Sequence, residues 1–418
     1  MKLLKNLTVS LSLILVIAVL TVGCEKTSSA TWSLFKRTPP VVLTKSPKPK
    51  RYTKEAELMA VGDIMMHGSQ IQSGYNSQTN TYNYDRFFTA VQPILSEGDW
   101  VIGNLETTLA GAVAKYTGYP LFNAPDPLAD AIKNAGFNIL TTANNHSLDR
   151  GEAGVLKTLE TVRGRGLEPV GTDGSLAEAN EILVVEKNDI SMAILAYTYG
   201  TNGIPIPKGK DYLVALIDEA KMKADIAQAE ELGVDVITVA LHFGSEYQRQ
   251  PNQQQQQLVK KLVAAGADII LGSHPHVVQP YEIFELQEES GETRKAVAIY
   301  SMGNFISNQR ENYKDLGVIF QVKLKKNFPD EIVEITEVDA IPTWVHRYWG
   351  NKNYQFRVLP IEATLQAEND SLLTASQYRK LAQDLEKMND HIHSMNVTEK
   401  MARSLTPLNG VSQEESDR

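Results

Sequence analysis

From Leu58 to about Val345, short continuous apolar runs alternate with stretches whose apolar positions recur every three or four residues. Runs of the first kind read as buried strands and stretches of the second kind as one-faced helices. The strand set is Leu58–Val61, Trp100–Ile102, Ile139–Thr142, Ile182–Val185, Met192–Ala196, Val236–Leu241, Ile269–Leu271, Ala296–Tyr300 and Val318–Leu324. The helix set is Pro127–Ala135, Gly154–Arg165, Asp218–Leu232 and Pro251–Ala265. Pro251 opens the last of these at a first-turn position, where proline is tolerated. Its glutamine run, Gln253–Gln257, looks low in complexity, but Leu258 and Leu262 give it an apolar side. This alternation predicts a layered α/β domain over residues 56–345.

The pattern changes after Ile361. Tyr378, Leu381, Leu385, Met388, Ile392 and Met395 are spaced 3, 4, 3, 4 and 3 residues apart, which predicts an amphipathic helix with a heptad-like seam in a C-terminal extension, 346–418. The expectation is that this helix packs on its own domain; a seam for a partner is the alternative. His346, His391 and His393 have no metal-binding neighbour close in sequence and are read as surface or packing residues.

The chain start carries a different signal. Lys2 and Lys5 precede an apolar run from Leu7 to Val22, then Gly23 and Cys24. Residues 1–23 read as a secretory signal. The ending Leu20-Thr21-Val22-Gly23-Cys24 resembles a bacterial lipobox, which makes Cys24 the lipidated residue; an uncleaved membrane anchor is the alternative. Either way the remainder lies outside the membrane. No cysteine follows Cys24, so there is no disulfide framework. Residues 24–55 are rich in proline and lysine and read as a tether; about 30 residues at roughly 3.3 Å each reach up to ~100 Å. Its basic run, Lys45 to Lys54, is a solvated linker or a contact for anionic lipid or wall polymer.

Composition is that of an ordinary globular protein, with 42% apolar and 22% charged residues. The net charge of −9 argues against nucleic-acid binding. An anionic substrate would therefore have to be met by a local positive centre, such as a metal.

Candidate chemistry gathers where the strands end. LMAVGDIMMH, residues 58–67, stops an apolar run on Gly62-Asp63 and places His67 four residues further on. Four more segments share one layout: a glycine, soon an Asp or Asn, a strand, then a polar residue able to bind a metal. Gly98 leads to Glu106, Gly136 to Asn144-Asn145-His146, Gly233 to His242 and Gly266 to His274. Glycine there suits a helix end needing positive φ, and a continuous apolar run suits a strand covered on both faces. In such sheets ligands sit beyond the carboxyl ends of the strands. Five of the eight histidines fall at these points. Pro275 is expected to hold His274 in extended backbone, with His274 and His276 pointing the same way.

Carboxylates and imidazoles without thiolates suit Mn, Fe or Zn. Two carboxylates, an asparagine and up to four histidines exceed one ion's needs, so a two-metal site is expected, able to activate water and clamp an oxyanion. Asp149 can orient His146. Arg150 can meet a carboxylate or phosphate, or form an ordinary ion pair at a helix start. Asn304, in a Gly-Asn turn, lines the pocket or only shapes the turn.

Six ordered segments also carry a resemblance: VGDIMMH at 61–67, GNLETTL at 103–109, FNAP at 122–125 running to TTANNHSLDRG at 141–151, LHFGSEY at 241–247, GADIILGSHPHVVQP at 266–280 and YSMGNF at 300–305. The sequence resembles the calcineurin-like metallophosphoesterase superfamily and, within it, the CapA-type poly-γ-glutamate capsule biosynthesis proteins. The resemblance implies a layered α/β/β/α sandwich with a dinuclear centre. Asp63 and His276 would serve the first ion, Glu106 would bridge, and Asn145, His242 and His274 would serve the second. His146 would be the general acid. The superfamily commonly writes its first motif Asp-x-His, whereas here it is Asp63-x-x-x-His67, so His67 is a ligand, a support for one, or a substrate contact. Glu106 stands where aspartate is common and reaches further by a methylene.

The expectation is a membrane-tethered, extracytoplasmic protein of poly-γ-glutamate capsule synthesis or export, with two divalent ions. Its partners would be the anionic polymer or a phosphoester, and membrane subunits of synthesis or export. The alternatives are a scavenging phosphoesterase or nucleotidase and a non-catalytic polymer-binding subunit.

Overall fold

The computed structural model describes residues 50–287, 291 and 293–396. The signal segment 1–23, Cys24, nearly all of the tether and the end of the C-terminal extension lie outside the described residues.

The strand Tyr52–Ile64 sits at the middle of the first sheet. On one side it pairs in parallel with Trp100–Leu105, followed by Ile139–Thr141 and Glu168–Val170. On the other side Leu316–Phe328, Ile332–Gly350 and Asn353–Pro360 follow in antiparallel order. The second sheet has parallel strands Ile190–Thr198, Val236–His242, Ile269–Ser273 and Thr293–Met302, flanked by antiparallel Leu183–Lys187 and Val278–Gln287.

Alternation along these strands makes the layers. Leu58, Ala60, Trp100 and Ile102 point from the first sheet into one apolar cluster with Met192, Ile194, Ile269 and Leu271 of the second. Their neighbours face outward, as strand geometry requires: Met59, Val61 and Val101 meet Leu128 and Ile132 of the helix Pro127–Asn134, and Val162 of Gly151–Arg163. Ile237, Val239 and Leu241 meet Met222 and Ile226 of Glu219–Glu231, and Val259 and Leu262 of Gln253–Ala264. The stack is helix, sheet, sheet, helix. Each expected strand falls on an observed one; the central strands, buried on both faces, leave a continuous apolar run, while Leu183–Lys187 is a part-exposed edge strand.

The amphipathic helix forms over Ala375–Ile392, where Thr374 caps it by accepting the Gln377 N–H. Its Leu381, Met388 and Ile392 enter the inter-sheet core. His391 and His393 are packing residues: the His391 ring meets the Val278 carbonyl at 3.0 Å, and the His393 ring lies edge-on to Tyr281. His346 is buried, stacked between Trp344 and Tyr348, and accepts the Arg357 Nε–H at 3.0 Å.

The segment boundaries differ from the expected ones. The first strand begins at Tyr52, inside the stretch read as tether, because pairing with Leu316–Phe328 reaches out to Phe328 opposite Tyr52. The strand Ile332–Gly350 runs through residue 345, and Asn353–Pro360 adds a further edge strand. Both carry polar residues on a solvent face, so their apolar runs are broken. Among the described residues no helix is long and apolar enough to cross a membrane.

Candidate metal centre

The parallel strands of both sheets end at one edge, and the polar residues converge there. Asp63 lies in register with Asn104 on one side and Asn304 on the other. Gly62 before it is required by space: a Cβ would stand 1.9 Å from the Gly303 carbonyl oxygen. From the second sheet, His242 ends its strand opposite Ser273. His274 and His276 follow in left-handed backbone, at φ 100° and 57°. That corrects the expectation of extended chain at His-Pro-His. The two imidazoles converge because both residues turn, a conformation uncommon for non-glycine residues and typical of functional sites.

Asp63, Glu106, Asn145, His146, His242, His274 and His276 are all buried. Asp63 accepts from Asn104 Nδ2 at 2.8 Å through Oδ1, and its Oδ2 lies 3.0 Å from His276 Nδ1. Glu106 Oε1 is 3.7 Å from both His242 Nε2 and His276 Nε2. Neither oxygen of Glu106 has a hydrogen-bond partner, and neither does His274 Nδ1. Asn145 Oδ1 meets His242 Nε2 at 3.1 Å, while Ser273 Oγ lies 3.0 Å from Nδ1 of the same ring. Two compact groups of possible metal donors result: Asp63, Glu106 and His242, and Glu106, His274 and His276. Glu106 is common to both, as a bridging carboxylate requires. The direct contacts follow the pairing the resemblance implies, His276 with Asp63 and His242 with Asn145.

The electrostatics match a cation site. Burial, then the Asp63 charge, push the Glu106 carboxyl well above its usual range. Burial and the neighbouring imidazoles hold His242 well below its ordinary value, and burial and His276 push His274 down to about 4. Without a cation His242 and His274 are therefore held toward the neutral imidazole, the form that binds metal. Orphaned carboxylate oxygens beside neutral imidazole nitrogens are the donor set of a divalent ion.

His146 stands beside this cluster with its Nδ1 2.7 Å from Asp149 Oδ2. That oxygen also accepts the Phe122 N–H at 2.6 Å, so the imidazole presents Nε2. The Phe122 ring meets His146 edge-on, with centroids 4.6 Å apart.

Three candidates make other contacts. His67 belongs to neither donor group. It is the cap of the short helix Gly68–Gly74, with its backbone extended at φ −73° and ψ 161°. Arg150 donates to the carbonyls of Asp149 and Leu121, both at 3.0 Å, and to Thr117. Among the described residues no carboxylate pairs with it, and it braces the loop carrying Phe122. Asn304 Nδ2 lies within hydrogen-bonding distance of the carbonyls of Lys314 and His276 and of Gln309 Oε1, while its Oδ1 is buried without a partner.

Sequence reasoning missed Asn104, Ser273, Phe122 and Tyr199. Asn104 and Ser273 end apolar runs, so the rule that singled out Asp63 reaches them too. Tyr199 covers His274 with ring centroids 4.6 Å apart; no pattern marks it, because it sits in a turn after its strand.

A double sheet sheathed by helices, with carboxylates, an asparagine and imidazoles at one strand edge, is a metallophosphoesterase-like sandwich. The bacterial capsule synthesis protein PGA_cap family matches residues 57–309, and the chain belongs to that family. It is 31% identical over 312 residues to "PGA biosynthesis protein CapA" of Bacillus subtilis (strain 168), covering 70% of this chain and 74% of that one. It is 29% identical over 314 residues to "Capsule biosynthesis protein CapA" of Bacillus anthracis, covering 72% and 70%. Solved structures similar in layout include the NAD nucleotidase of Haemophilus influenzae, at 15% identity and a TM-score of 0.46 over 84% of this chain and 68% of that one.

Proposed function

We propose that the protein is an extracytoplasmic, membrane-tethered member of this family that acts in poly-γ-glutamate capsule synthesis or export through a dinuclear metal centre. The observation that carries the centre is Glu106, a buried carboxylate with both oxygens unpartnered and two imidazole nitrogens 3.7 Å from Oε1. A buried unpaired charge is costly, and a pair of divalent cations, Mn, Fe or Zn, would offset that cost. Asp63, Glu106, Asn145, His242, His274 and His276 would hold them. Bound there, the ions would supply Lewis-acid charge and a water that ionises near neutral pH.

The chain's own residues complete a hydrolytic or transfer site. Asp149 fixes the ring of His146 through Nδ1, so Nε2 can carry a proton to a leaving oxygen or nitrogen. Phe122 lies against His146 and Tyr199 against His274. The substrate would be a phosphoester or the amide-linked anionic polymer. The signal segment, Cys24 and the basic tether support export and lipid anchoring on the outer side of the membrane.

The test is complementation of a capsule-negative deletion strain with wild type and with Asp63→Ala, His146→Ala, His276→Ala and Cys24→Ala variants. Capsule polymer, membrane-fraction protein and growth on organic phosphate are measured together. The proposal expects the three site variants to stay membrane-bound and lose capsule, and Cys24→Ala to leave the membrane fraction. Wild-type capsule from all three site variants would contradict it. A phosphate-growth defect with normal capsule would favour a scavenging phosphoesterase.

A further inference from the structure

His67 is the strand-end histidine that the metal centre does not absorb. Its backbone N–H donates to Gln70 Oε1 at 2.9 Å, and Gln70 Nε2 donates to the Met65 carbonyl at 3.0 Å. The Gln70 amide is therefore oriented by two backbone groups. The Asn308 backbone N–H approaches His67 Nδ1 at 3.3 Å. A backbone amide can only donate, which fits a ring proton on Nε2, while Gln70 Oε1 at 3.2 Å from the same nitrogen fits a proton on Nδ1. Nε2 itself has no hydrogen-bond partner among the described residues, and it is not sealed from solvent.

The surroundings aim this ring. Phe122 stands edge-on to both His67 and His146, with centroids 5.3 Å and 4.6 Å away and interplanar angles of 80° and 81°. The loop before Phe122 lies on the His67 backbone: a Cβ at Gly118 would come within 2.5 Å of the Gly68 nitrogen. Two imidazoles thus flank one aromatic ring at the edge of the donor cluster, each locked through Nδ1. His146 Nδ1 faces the Asp149 carboxylate, and His67 Nδ1 faces the Asn308 backbone N–H.

We infer that His67 presents a neutral Nε2–H to an anionic oxygen of the substrate, across Phe122 from His146, and is not a metal ligand. The substrate part rests on the metal-centre reading above. The oxygen belongs to a phosphoryl group or to the carbonyl of an amide passing through a tetrahedral state; both present the same acceptor. A neutral donor suits that place, since it stabilises developing negative charge without itself competing for the buried carboxylates.

Three measurements on the full chain test this. Long-range 15N–1H spectra of histidine-labelled, metal-free protein at pH 7 should show His67 protonated at Nε2; protonation at Nδ1 would overturn the assignment regardless of any activity. Metal analysis of Mn-loaded His67→Ala should match wild type, and loss of an ion would make His67 a ligand. Titration of the Mn-loaded proteins with inorganic phosphate should show affinity reduced by about 10- to 100-fold in His67→Ala, as for a lost hydrogen bond to a charged group. His67→Gln, which places an amide N–H near the same point, should recover most of it. Hydrolysis of bis(p-nitrophenyl) phosphate and of γ-glutamyl oligomers by the two variants distinguishes the phosphoryl from the amide source. Unchanged phosphate affinity with full metal content overturns the donor role, whereas a wild type that takes up no metal fails the metal-centre reading instead.

Discussion

Replacing Glu106 with glutamine should make the metal-free protein more stable and the metal-loaded protein less so. The reasoning starts from the two unpartnered oxygens of a buried carboxylate near Asp63, beside a His242 imidazole that burial holds well below its ordinary value. An uncompensated buried charged group costs on the order of 1–3 kcal/mol or more. Glutamine has nearly the same shape and no charge, so the metal-free variant should gain about that amount. In the presence of metal the sign reverses. A ligand at a hundred times its Kd stabilises the native state by about 2.7 kcal/mol, and the glutamine amide binds a divalent ion poorly. For a folded body of roughly 350 residues the unfolding entropy is about 0.7 kcal/mol/K, so each kcal/mol moves Tm by roughly 1.4 °C. Calorimetry in a chelator should therefore place Glu106→Gln about 1–4 °C above wild type. Saturating Mn should raise wild type by about 4 °C per ion and the variant by little. A variant that is less stable in chelator, or that keeps the full metal-induced rise, would refute the reading of Glu106 as a carboxylate built for cations.

Asp149→Asn should keep the metal content and lower turnover of a phosphodiester by at least about tenfold, because His146 loses the charge that fixes its ring; the check is kinetics and metal analysis on one preparation. Leu381→Ala should cost about 2–5 kcal/mol, since the side chain is buried in the inter-sheet core, and should leave the metal-induced rise in Tm intact. His346 gives a pH prediction. Burial, then the Arg357 charge, depress it from 6.5 to about 4, so its contribution is complete above pH 6.5 and is lost as pH falls toward 4. Chelated protein should lose stability across that window, and His346→Gln should show a shallower fall in Tm between pH 6.5 and 4 than wild type.

Much of the centre was legible because strand ends punctuate the sequence. Asp63, Glu106, Asn145, His146, His242, His274 and His276 each follow an apolar run, and the parallel sheets align those ends. The glycines read as helix ends carry the needed geometry at Gly136, Gly233 and Gly266, with φ of 108°, 71° and 115°. The failures have physical causes. His67 shares a stretch with Asp63, but it caps the helix Gly68–Gly74 and belongs to neither donor group. His274 and His276 converge through left-handed backbone, which no local preference of proline or histidine would suggest. The donors of Arg150 and Asn304 meet backbone carbonyls that no sequence pattern marks, while Asn304 Oδ1 is left without a partner. The strands Ile332–Gly350 and Asn353–Pro360 escaped because an edge hairpin alternates polar with apolar residues.

Anomalous diffraction from crystals of the Mn-loaded protein tests the central claim most directly. The account predicts two peaks about 3.5–4 Å apart, one beside Asp63, the other beside His274, with the Glu106 carboxylate between them. No peak at this edge, or one that leaves Glu106 without a bound ion, would contradict it.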